Sequence, residues 1–187
     1  MDFPDVIVAA VIYYITQDDD FGRGLYHNGS TSVKDNETLE IPAGVDYIPQ
    51  REFYENLHLR KIVFPPGKIT ICKSAFEGCI NLSELVFPDG SEVIIEEGAL
   101  RKCGFVTLDL REKNVTIGES AFEHCENLES VTLPVLMTCL SESAFANCST
   151  LDTVVFPDSL LEIGQLAFSE CISLQNVNLP PSLGEIG

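Results

Sequence analysis

The sequence predicts a β-rich α/β solenoid, coiled in units of about 23 residues. Three observations predict it. A shared Ala recurs at 75, 99, 121, 144 and 167, with spacings of 24, 22, 23 and 23, the self-similarity of a stacked array. Within one copy, Val131 and Leu133 alternate with Ser130 and Thr132, the period of a strand with one buried face. Pro134 then stops the strand, because it has no N–H for a ladder.

Residues 1–37 are expected to cap the array. Phe3 to Thr16 reads as a short helix started by Asp2 and Pro4, although its Val and Ile content equally permits strands. The solenoid runs over 38–187. Leu39 to Pro49 keeps the second half of a copy, and Arg51 to Pro65 is a worn copy with Glu52 and Asn56 where the others have Ala and Cys. Lys73 to Pro88 is regular. The next copy is distorted: the turn Pro88 to Ile94 has an extra residue, one is missing between Cys103 and Phe105, and Arg111 replaces Pro. Glu119 to Pro134, Glu142 to Pro157 and Gln165 to Pro180 are regular again.

Each unit has three parts. A strand ends at the Pro. A second, shorter extended segment such as Ser159 to Gly164 comes after it. The "SAFEHC" segment is expected to form a short helical turn, because Ser120 with Glu123 three residues later makes a capping box, repeated by Ser74 and Glu77. A lone coil cannot bury enough apolar surface to offset its ordering entropy, so neighbours must cover it. The sequence ends in mid-unit at "SLGEIG". The expectation there is either a fragment of a longer array or an end that stacks on another copy.

Composition excludes several functions. A chain of 187 residues with 45% hydrophobic and 21% charged side chains is a folded domain. A formal charge of −18 repels phosphate backbones and anionic lipid surfaces, so neither nucleic acid nor a membrane is an expected partner. The longest apolar run, Val6 to Ile15, is too short to span a bilayer. Its leading residues hold two Asp and no Lys or Arg. That is the wrong charge for a secretory signal, and a cytoplasmic protein is expected.

Apparent reactive groups are mostly repeat positions. Cys79, Cys103, Cys125, Cys148 and Cys171 share one slot, with Cys72 and Cys139 off it. No pair has zinc-ligand spacing, and buried free thiols are expected rather than a metal, cofactor or disulfide framework. His124 falls in a variable slot held elsewhere by Gly78, Lys102, Asn147 and Glu170, and reads as a surface residue; His27 and His58 are unrelated to it. The acidic stretch Gln17 to Gly24 fails the calcium-loop pattern at Gly22, Arg23 and Gly29. Sequons at Asn28, Asn36, Asn81, Asn114 and Asn147 matter only in an exported protein. No nucleophile has a base placed by a local signature, so no enzyme is expected.

The strand face remains. Its outward column reads Val63, Val86, Asp109, Thr132 and Val155, and its neighbour reads Lys61, Glu84, Thr107, Ser130 and Thr153. This weakly charged, β-branched surface on an acidic molecule is the expected binding site for a protein or peptide, since charge depletion marks interface cores.

The 23-residue unit with S-A-F-x-x-C-x-x-L-x-x-V-x-L-P resembles the BspA-like, or Treponema-type, leucine-rich repeats, over about four-fifths of the chain from Leu39 to Gly187. The resemblance implies a curved right-handed solenoid with a parallel sheet from the "LxxVxLP" segments, serving as an interaction scaffold. Bacterial members are often surface adhesins, so an exported adhesin is the alternative to a cytoplasmic module.

Overall fold

The computed structural model describes residues 37–175 and 177–187. Residues 1–36 of the expected cap, with the Gln17 to Gly24 stretch, His27, and the sequons at Asn28 and Asn36, lie outside them.

Two series of short parallel strands wind through the chain. The first is the "LxxVxLP" series: β1 (Thr38–Glu40), β3 (Lys61–Val63), β5 (Glu84–Val86), β7 (Thr107–Asp109), β9 (Ser130–Thr132) and β11 (Thr153–Val155). The second comes after the turn that ends each copy of the first, a Pro turn in every copy but the one with Arg111: β2 (Tyr47–Ile48), β4 (Gly67–Ile71), β6 (Ser91–Ile95), β8 (Asn114–Ile117), β10 (Cys139–Leu140), β12 (Glu162–Ile163) and β13 (Glu185–Ile186). Each pairs with its own kind one coil away, as in Ile62 against Leu85 and Ile71 against Ile95. The inward residues of both series, among them Ile62, Val131, Ile95 and Leu140, are buried in one continuous core.

Neither sheet is continuous. The first series divides into β1-β3-β5 and β7-β9-β11, and the second into β2-β4-β6-β8 and β10-β12-β13. The first division lies at the predicted deletion. Gly104 takes the shortened path, donating its N–H to the Leu82 carbonyl at 2.9 Å. A Cβ on Gly104 would meet the Ile80 carbonyl oxygen at 2.1 Å, so only Gly fits there.

The short helical turns expected at the S-A-F segments are not formed. These segments are chains of turns with two left-handed residues per copy, such as Ser74 (φ 55) with Gly78 (φ 81) and Ser120 (φ 52) with His124 (φ 60). The left-handed residues reverse alternate peptide groups. Ala75, Glu77 and Cys79 therefore donate locally, whereas Ser74, Phe76 and Gly78 donate to Glu97, Ala99 and Arg101 of the next coil. A helix would direct all of these N–H groups along its own axis. Stacking claims half of them instead.

This turn ladder is the unbroken spine of the molecule. Phe53 donates to Ala75, Phe76 to Ala99, Leu100 to Ala121, Phe122 to Ala144 and Phe145 to Ala167, all at 2.8–3.0 Å. The rings beneath it stack in parallel, with centroids 4.9 Å apart for Phe53–Phe76 and 5.2 Å for Phe122–Phe145. Burying each such ring contributes on the order of 1.5–3 kcal/mol. In the last coil the counterparts of the buried strand positions Val131 and Leu133 lie open: Val177 is 41% and Leu179 48% exposed, against 1% for both Val131 and Leu133.

Candidate functional site

The first strand series holds all ten predicted binding residues on its outward side. Lys61 lies beside Glu84 and Val63 beside Val86 on β3 and β5. Thr107, Ser130 and Thr153 form one column of the second sheet, and Asp109, Thr132 and Val155 the other. The alternation sets this orientation, because Ile62, Leu108, Val131 and Val154 between the two columns point inward and are buried. The structure groups the residues as four and six rather than as one stripe, since β5 and β7 are not paired.

The two patches differ in chemistry. On the first, the Lys61 ammonium donates to the Glu84 carboxylate at 2.7 Å beside the half-buried Val63 and Val86. The second is a field of hydroxyls with one carboxylate column member. Asp109 accepts from the Arg111 backbone N–H at 3.0 Å, and Thr153 donates its hydroxyl to the flanking Asp152 at 2.7 Å. A concavity of about 780 Å³ borders β11, with Thr153, Val155, Gln175 and Asn178 in its wall.

The cysteine slot is structural. Each ladder thiol donates to the carbonyl of the preceding coil: Cys79 to Phe53 at 3.0 Å, Cys103 to Phe76 at 3.3 Å, Cys125 to Leu100 at 3.4 Å, Cys148 to Phe122 at 3.3 Å and Cys171 to Phe145 at 3.1 Å. Burial pushes the thiols of Cys79 and Cys125 up to about 12 and that of Cys171 to about 11; those of Cys103 and Cys148 rise for the same reason. All seven cysteines are free thiols. His124 is half-buried rather than on the open surface: its ring nitrogens lie 3.6 Å from Glu123 and 3.7 Å from Glu126. Arg101 beneath it approaches Glu77 and Glu123 of the two flanking coils at 4.0 and 3.3 Å.

Sequence reasoning missed a second concavity, on the opposite strand series, where β8 and β10 part. Its volume is about 580 Å³. The signal was present as departures from the repeat at Leu136 and Ser141, which stand where neighbouring copies have Ser159 and Gly164.

Comparison with known proteins agrees with this architecture. No curated protein matches the chain. Among solved structures, a leucine-rich repeat protein from Bacteroides ovatus is 25% identical with a TM-score of 0.59, over 88% of this chain and 54% of its own. The Treponema pallidum leucine-rich repeat protein is 23% identical with a TM-score of 0.54, over 74% of this chain and 78% of its own. A leucine-rich cell surface protein from Faecalibacterium prausnitzii is 22% identical with a TM-score of 0.63, over 89% of this chain and 51% of its own. The chain thus spans about half the length of the Bacteroides protein. The profile of the BspA type leucine-rich repeat region matches residues 30–104 and 93–187 in six copies, so the chain belongs to the BspA-type leucine-rich repeat family.

Proposed function

We propose that the protein is a non-catalytic interaction module that binds a protein or peptide on the outward face of its first strand series. One observation carries the reading. On a molecule of charge −18, the ten face positions hold only Lys61, Glu84 and Asp109 as charges. The first two pair with each other at 2.7 Å, and the third accepts a backbone N–H at 3.0 Å. A partner can therefore cover this face without stripping water from a lone, unbonded charge, the main cost of a polar interface.

The test is a double substitution, Val86→Lys with Val155→Lys, which puts one charge on each patch. Both side chains are partly exposed and a Lys stem can run along the surface. The expected outcome is loss of partner capture from the native source, with a melting temperature lowered by no more than about 3 °C. Retained capture would place the site elsewhere.

A surface location is the second reading, and the description of the Faecalibacterium protein as a cell surface protein favours it. Intact mass and thiol titration of native material separate the two locations. Seven reduced thiols and no added mass support the cytoplasm, whereas glycan mass at Asn81, Asn114 or Asn147 supports export.

A further inference from the structure

Neighbouring coils of the second strand series are sewn together by a recurring pair of contacts. One is a backbone bond just after the strand: Cys72 donates to Ile48, Glu96 to Ile71, Gly118 to Ile95, Gly164 to Leu140 and Gly187 to Ile163, at 2.8–3.0 Å. The other is a hydroxyl in the Pro turn, where Ser159 donates to the Val135 and Met137 carbonyls and Ser182 to the Leu160 carbonyl. Between β8 and β10 both are altered. Ser141 satisfies the Ile117 carbonyl with its hydroxyl at 2.7 Å, and no bond from its N–H to that carbonyl is made. Leu136 occupies the hydroxyl position and is 84% exposed.

The strand ladder fails in the same place. The N–H groups of Glu162 and Glu185 donate to carbonyls of the preceding coil at 3.2 Å, but no counterpart joins the Cys139 N–H to the Val115 carbonyl. The coils still touch at both ends of the opening, through Val135 N–H to the Arg111 carbonyl at 3.0 Å and through Ser141 to Ile117. A strand cannot run through a groove bridged at both ends; a chain terminus can enter it.

Charge selects the occupant. No Lys or Arg comes after Lys113 in the sequence, so Arg111 and Lys113 at the groove are the last two basic residues. The Lys113 ammonium turns onto the Phe87 carbonyl at 3.3 Å. Among the described residues no carboxylate, Glu112 included, lies within ion-pair distance of the exposed Arg111 guanidinium. Glu112 also lines the groove, but Arg111 and Lys113 together leave its lining with one net positive charge, and at physiological salt fields from carboxylates beyond about 8 Å are largely screened.

We propose that the β8/β10 seam binds the free C-terminus of a partner polypeptide that ends in an aliphatic residue. The terminal carboxylate pairs with Arg111, the aliphatic side chain packs on Val135 and Leu136, and the last peptide group bonds the Val115 carbonyl and the Cys139 N–H. Carboxylate capture of this kind joins charge to a fixed backbone geometry. A groove of about 580 Å³ is large enough for the last few residues of a chain.

The experiment titrates the full ¹⁵N-labelled chain at about 0.15 M salt with acetyl-Ser-Val-Leu as the free acid and as its C-terminal amide. The expected result is saturable amide shifts confined to Lys113–Ile117 and Leu136–Ser141, with the amide binding roughly tenfold more weakly. Arg111→Gln is expected to lose a similar factor. Leu136→Ser restores the residue that Ser159 and Ser182 supply in regular coils. That variant is expected to melt higher and to bind the free acid roughly tenfold more weakly. Equal binding of acid and amide, shifts on the first strand series, no saturable shift up to about 10 mM, or unchanged binding by Leu136→Ser would each overturn the proposal.

Discussion

At the scale of single residues, a cysteine here acts as a small hydrophobe that also donates one hydrogen bond backward along the stack. Cys125 is fully buried and its thiol reaches the Leu100 carbonyl at 3.4 Å. Its ionised form would lie among neighbouring coils without solvation, which is why the thiol is pushed from its ordinary 9.0 up to about 12. The consequence for stability has a definite sign. Between about pH 9 and 12 the unfolded chain gives up this proton while the folded chain keeps it. The unfolded state then binds fewer protons, so stability falls as pH rises. Each such thiol contributes at most about 1.4 kcal/mol per pH unit in that window. Urea midpoints measured under reductant at about pH 8 and 10.5 should therefore fall in the native sequence. Cys125→Ala should cost about 1–3 kcal/mol at the lower pH, through the lost packing and bond, yet show the shallower alkaline decline. An equal decline in both proteins would mean that the thiol is not buried as described.

At the scale of elements, the coils are set by where the repeat is kept and where it is broken. Gly104 shows the second case. Its ideal Cβ would sit 2.1 Å from a backbone oxygen that cannot move aside without shifting the Ile80 coil. Gly104→Ala should cost about 2–4 kcal/mol, while Gly184→Ala, whose Cβ would meet its nearest neighbour at 3.6 Å, should stay within about 0.5 kcal/mol. Thermal unfolding of the two variants side by side checks this, and equal losses would refute the steric account. The strand register was readable in advance because a period of two fixes which side chains face inward, as Ile62 and Val131 do. The location of one sheet break was readable too, since a residue deleted between Cys103 and Phe105 must displace the strand after it. The turn geometry was not. Ser74 and Glu77 satisfy a capping box, but the box reports only local bonds, and Ser74 instead gives its N–H to Glu97 of the next coil. Gly78 and Asn147 in the His124 slot were the available sign of a left-handed position. The seam at Leu136 and Ser141 escaped because both fall at positions the repeat leaves variable, where a change shows its effect only as a lost contact between coils.

At the scale of the whole molecule, the strands look like the frame, yet both strand series are interrupted while the turn ladder is not. The two interruptions are staggered, with β5/β7 one coil before β8/β10 on the other series. No single level of the stack therefore loses both sheets, and the spine bridges each gap through Leu100–Ala121 and Phe122–Ala144. Protection against hydrogen exchange should mirror this division, because an amide exchanges through the cheapest opening that frees it. The amides of Phe76, Leu100, Phe122 and Phe145 should be the slowest. Those of Thr138 and Cys139, which border the second gap, should exchange sooner than Leu161 and Glu162 one coil on, which donate to Thr138 at 2.8 and 3.2 Å. Among the described residues, the coil from Gln165 onward should exchange fastest, since Val177, Leu179 and Ile186 are 41%, 48% and 59% exposed and nearest-neighbour contacts set stability in a linear array. Exchange monitored by mass spectrometry with fragments that separate the turn segments from the strands tests all three comparisons. Faster exchange at the Phe-turn amides than in the paired strands would show that the sheets, broken as they are, hold the coils together and that the turns merely go along with them.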